Sequence, residues 1–117
     1  MQKKSYNTPD KTMAPPKTKI EIVNVDGGTI ARSTFEPGWK WSEHIKSTAD
    51  TKTCQIHHLL SVISGRLKVV MDDGTEMEIS PGDVADIPAG HDAWVVGDEP
   101  VIGIDAGGLI AAKDWKI

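Results

Sequence analysis

The sequence predicts an all-β domain, a barrel or sandwich of short antiparallel strands. Two observations carry this. Apolar residues recur at every second position in short segments, and clusters of Gly, Pro, Asp and Ser separate those segments every 8 to 12 residues. No stretch shows the apolar stripe of an amphipathic helix. At 117 residues, the chain has the length of one domain around one core.

Each element follows from its own residues. Ile20, Ile22 and Val25 open a first strand, and Asp26-Gly27-Gly28 turns it. Thr29 to Phe35 forms the return strand, which Pro37-Gly38 ends. Residues 46–53 are polar and read as a loop. Gln55 to Ile63 is strand-like and stops at Ser64-Gly65. Arg66 to Met71 and Thr75 to Ile79 flank Asp72-Asp73-Gly74, a hairpin signal, with Met77 and Ile79 on one face. After the turn Ser80-Pro81-Gly82-Asp83 come Val84 to Ile87, a second turn at Pro88-Ala89-Gly90, and His91 to Val96. Gly97 to Pro100 turns again before Val101 to Asp105. Residues 106–117 fit either a last short strand or a turn of helix.

Residues 1–18 combine Lys, Thr and Pro without apolar periodicity, so they read as a flexible tail ahead of a barrel domain over 19–117. Pro15 and Pro16 also suit an extended arm laid on a second subunit. The formal charge is −4, and the 13 basic residues are spread along the chain, which argues against nucleic acid as a partner. No apolar run approaches the roughly 20 residues of a membrane span. The first residues lack the apolar core of a secretory signal, so a cytoplasmic protein is expected. Cys54 is the one cysteine, so no internal disulfide can form.

A resemblance to a known family rests on two segments. Gly82 is followed by five residues and Pro88-Ala89-Gly90, which resembles the second conserved motif of the cupin superfamily. Gly38, five residues and His44 resemble the start of the first motif, and Gly65 its closing glycine. The likeness spans roughly Ile20 to Asp105. It implies a cupin-type double-stranded β-helix, a jelly-roll barrel with a pocket inside. Gly38, Gly65, Gly82, Pro88 and Gly90 are then its structural turns.

Cupin enzymes generally hold one metal with three His and one Glu. The positions that this resemblance marks carry different residues here. The second His of the first motif falls on Lys46, the Glu on His58 and the second-motif His on Ala93. His91 lies two residues earlier, on the same face of a strand as position 93. The resemblance thus marks His44, His58 and His91 as candidate metal ligands, with Cys54, four residues before His58, at the edge. By donor type such a set suits Zn²⁺, Fe²⁺, Ni²⁺ or copper. The alternative is that these histidines are hydrogen-bonded pocket residues and Cys54 a small buried hydrophobe. His57 points away from His58 and reads as a surface residue. Trp39 and Trp41 share a direction, either into the core or a dimer contact, or as an apolar wall of the pocket beside Ala93.

Three functions follow from this reading. The first is a metal-dependent enzyme acting on a small metabolite. The second is a non-catalytic module that binds a small ligand or a metal, and the third a mainly structural barrel. A homodimer is expected, with the Ile20 strand and the Trp39/Trp41 segment as candidate contacts.

Overall fold

The computed structural model describes residues 1–46 and 51–106. They contain nine strands: β1 (Lys11–Met13), β2 (Thr18–Val25), β3 (Gly28–Phe35), β4 (His58–Ser64), β5 (Arg66–Met71), β6 (Glu76–Ile79), β7 (Val84–Ile87), β8 (His91–Val96) and β9 (Val101–Asp105). One helical turn, α1 (Trp41–His44), lies between β3 and β4. The strands form a six-stranded sheet ordered β1-β2-β3-β9-β4-β7 and a three-stranded sheet ordered β6-β5-β8. Every named pairing is antiparallel, giving the expected all-β jelly roll.

Period-two patterning sets which face each strand buries. On β8, His91, Ala93 and Val95 are buried, while Asp92, Trp94 and Val96 are only half-buried. β9 alternates in the same way, with Val101, Gly103 and Asp105 inside. A one-residue slip would reverse both sets, so burial itself holds the register. The core joins Ile20, Ile22, Leu60 and Val62 of the larger sheet to Leu67 and Val69 of the smaller. Trp39, Trp41 and Ile45 complete it from the segment after β3.

Two crossings depend on glycine. Gly65 carries the chain from β4 in one sheet to β5 in the other, at φ +76°. A Cβ there would lie 2.3 Å from the carbonyl oxygen of Pro100. Gly90, at φ +90°, opens β8, and its N–H donates to the Cys54 carbonyl at 2.7 Å.

Three expectations change. The segment read as a tail contributes β1, which pairs with β2 in register Lys11↔Ile22. Its Lys4 also pairs with Asp10 at 3.0 Å, and the Asp10 carboxylate accepts the Asn24 N–H at 2.7 Å. Sheet-edge pairing does not need apolar periodicity, so composition alone misses it. Met77 is exposed, because β6 is an edge strand with only β5 beside it. His44 ends the helical turn α1, where the sequence pattern predicts no helix. Residues 107–117, for which strand and helix both fit the sequence, lie outside the described residues, as do residues 47–50 of the polar loop.

Candidate metal centre

Cys54, His58 and His91 converge. Their donor atoms all lie within 4.8 Å of one another. Three local features produce this. Cys54 forms an isolated antiparallel bridge with His91, its N–H donating to the His91 carbonyl at 2.7 Å. His58 opens β4, whose neighbours are β9 and β7. His91 opens β8 directly after the Pro88-Ala89-Gly90 turn.

Both imidazoles are aimed by what holds their Nδ1 atoms. His91 Nδ1 lies 2.7 Å from the Pro88 carbonyl, which can only accept, so Nδ1 carries the proton. His58 Nδ1 lies 2.5 Å from Oδ2 of Asp105 and donates to that carboxylate. Each Nε2 is thereby left for the shared point, and His58 Nε2 stands 3.5 Å from Cys54 Sγ. The two rings meet edge to face, 5.3 Å between centroids.

These contacts shift the protonation of both groups. For Cys54, burial pushes the thiol up, but hydrogen bonds and charge from His58 and His91 outweigh it and bring it down to about 6. For His58, burial pushes the imidazole down, but Asp105 and Cys54 raise it to about 9. Each group thus favours the charged form of the other, a thiolate beside an imidazolium.

The donor set fits a transition metal. Bonds of about 2.3 Å to sulfur and 2.0–2.1 Å to nitrogen, at a tetrahedral angle, put the donors ~3.5 Å apart. Cys54 and His58 already stand at 3.5 Å. The other separations need to close by no more than about 1.5 Å from the 4.8 Å bound. The centre lies in an apolar pocket of about 590 Å³, open mouth included. Trp39, Trp41, Phe35, Ile20 and Leu60 are among its walls.

Trp39, Trp41 and Ala93 line the pocket. His57 is exposed and pairs with Asp86. His44 is absent from the centre: its Nδ1 lies 3.0 Å from both the N–H and the carbonyl of Lys40, within its own helical turn. The polar contact closes on the nearest backbone, and Cys54 supplies the third donor instead. Trp39, Trp41 and Ile20 are buried inside the barrel, so they cannot form a dimer surface.

Asp105, which holds His58 Nδ1, is the candidate-site residue that motif reading missed. A signal for it was present, since it lies in phase with inward-facing Val101 and Gly103. A carboxylate on the buried face of a strand needs a partner.

No protein-family model matches this chain, and no curated protein matches it. Solved structures do. One is a protein of unknown function from Acinetobacter sp., with 11% identity, covering 84% of this chain and 90% of that one, at a TM-score of 0.61. Another is a cupin-like protein from Thermotoga maritima, with 17% identity, coverage of 80% and 70%, and a TM-score of 0.56. A third is a sugar phosphate isomerase of the cupin superfamily from Silicibacter pomeroyi, with 24% identity, coverage of 76% and 57%, and a TM-score of 0.53. At these identities the likeness is one of fold.

Proposed function

We propose that this chain, whose fold is the cupin jelly roll, holds a divalent transition metal on Cys54 Sγ, His58 Nε2 and His91 Nε2 and uses it on a small molecule in the pocket. The carrying observation is the convergence of those three donors at an apolar cavity. One thiolate and two imidazoles favour zinc, copper, iron or nickel over hard cations such as Mg²⁺ or Ca²⁺. Three protein ligands leave a coordination position free, where a bound metal supplies Lewis acidity or an activated water. The chain's own groups do the rest. Asp105 and the Pro88 carbonyl hold the two rings, and the apolar walls exclude water.

Metal content of protein purified without a polyhistidine tag tests this. About one equivalent of metal is expected, lost in Cys54→Ala and His91→Ala and kept in His44→Ala. Absence of stoichiometric metal after dialysis against Zn²⁺, or an equal loss in His44→Ala, overturns the reading.

A second reading is favoured by one specific observation. Cys54, His58 and Asp105 stand in line, sulfur to ring to carboxylate, at 3.5 Å and 2.5 Å. Without metal this is a thiolate nucleophile, an imidazolium that can return a proton, and an orienting carboxylate. Alkylation of Cys54 separates the two, because added metal protects the thiol only in the first. A non-catalytic metal-binding module would keep the metal and show no turnover.

The sugar phosphate named for one structural neighbour does not transfer readily. Among the described residues lining the pocket, none is Lys or Arg. We also propose a homodimer, formed through the outer face of β4 and β7. Leu59, Ile63 and Val84 are exposed there by 45%, 57% and 69%. Sedimentation at micromolar concentration should give a dimer that Val84→Lys dissociates; a wild-type monomer overturns it.

A further inference from the structure

We infer that the pocket takes a neutral small molecule with an apolar body and a hydrogen-bond acceptor such as a carbonyl oxygen, and that it discriminates against carboxylates and phosphates. The inference deepens the metal-centre reading and rests on it. It has two independent supports.

The first is charge. The ionisable residues among the described lining are Cys54, His58, His91 and Asp105. A metal-bound thiolate takes up one of a divalent ion's two charges, and the Asp105 carboxylate lies one imidazole away. The remaining described walls are apolar apart from Ser33 and the two indoles. An anion entering such a space meets no guanidinium or ammonium among them. It gives up hydration for the one positive charge left on the metal, which the Asp105 carboxylate offsets. A neutral molecule escapes that cost and gains from the apolar walls.

The second is a pair of unmet donors. The Nε1 atoms of Trp39 and Trp41 are buried and have no hydrogen-bond acceptor. Both residues are only 4% exposed, and both line this pocket. A buried donor without an acceptor has given up its hydrogen bond to water and gained none in return. Among the described residues these are the two buried side-chain polar atoms in that condition. An acceptor on the bound molecule supplies the missing partner once an indole turns slightly towards it. A site built to donate in this way rejects a shape that lacks the acceptor.

The test uses the full chain loaded with Co²⁺ alone and titrated with probes of matched shape. Benzamide is neutral, benzoate is its anionic counterpart, and inorganic phosphate stands for phosphorylated ligands. Binding is read from the Co²⁺ spectrum and from indole fluorescence. Benzamide should bind at least tenfold more tightly than benzoate, and phosphate should leave both signals unchanged. Trp39→Phe or Trp41→Phe, which keeps a ring and removes the N–H, should weaken benzamide several-fold without altering Co²⁺ affinity. Benzoate or phosphate binding as tightly as benzamide overturns the inference, as does failure of every probe to bind. Unchanged benzamide affinity in both Phe variants removes the indoles from it. If Co²⁺ itself does not bind, the metal reading falls separately, and fluorescence titration of the metal-free protein decides the neutral preference by the same criterion.

Discussion

Asp105→Asn separates two effects of one carboxylate that oppose each other. Asp105 is buried and accepts from His58 Nδ1 at 2.5 Å. With metal bound, a carboxylate behind a ligating His strengthens the bond, and its loss costs about 10–100-fold in affinity, or ~1.4–2.7 kcal/mol. Without metal, Asp105 helps raise His58 to about 9, so a proton competes for Nε2. At pH 7 that leaves only about 1% of His58 neutral, a roughly 100-fold handicap to metal binding. An uncharged amide in place of the carboxylate relieves much of the handicap by letting His58 fall towards the ordinary range near 6.5. At pH 7 the relief offsets most or all of the loss. At pH 9 competition fades, and the loss shows at about 5–50-fold. The ratio of variant to wild-type Kd should therefore climb with pH, from about one or below. Competition against a chromophoric chelator, at pH 7, 8 and 9 with Zn²⁺, measures it. A ratio that stays constant across this range refutes the reasoning, because proton and metal would then not share His58 Nε2.

Two further predictions concern the scaffold. Gly65→Ala puts a methyl 2.3 Å from the Pro100 carbonyl oxygen at a positive φ, so it should lower stability by about 2 kcal/mol or more in urea denaturation; a change within about 0.5 kcal/mol contradicts the close approach. Glu21, buried on β2, takes two hydrogen bonds from Arg32, at 3.0 and 2.9 Å, which hold its carboxyl below the ordinary range. Its contribution is therefore present above the unfolded pKa and lost as pH falls through the lower folded value. Glu21→Gln should cost about 1–2 kcal/mol at pH 7, discounted because Arg32 is a third exposed, and should soften the acid limb of the stability curve. Equal stability of variant and wild type at pH 7 speaks against the pair.

The hairpin rhythm was legible because it is local. The expected strands Arg66 to Met71, Val84 to Ile87, His91 to Val96 and Val101 to Asp105 match β5, β7, β8 and β9. Each is bounded by turn residues that act within a few positions. The site was legible by halves. His58 follows from counting back from Gly65, and His91 from the alternation on β8. His44 illustrates where that approach stops. Spacing from Gly38 identifies the position but does not show that the chain winds into a helical turn there, capturing the ring on the Lys40 backbone. Asp105 was harder still, since its partner lies 47 residues away and no local pattern pairs them.

The substitutions at the motif positions make sense together once charge is counted. In the cupin pattern the anionic ligand is the Glu that falls on His58 here. In the proposed metal-bound state an imidazole at that place carries no negative charge, and Cys54 is the one anionic donor of the cluster, because its bridge to His91 holds the thiol beside both rings. A softer donor favours copper and zinc over harder ions. Asp105 then takes the other role a carboxylate can play, behind the imidazole instead of on the metal. Ala93, where the second motif would have a histidine, opens space in the pocket that the indoles also line. On the proposed reading, that combination balances the charge of a divalent ion and leaves room for a neutral molecule to approach the centre.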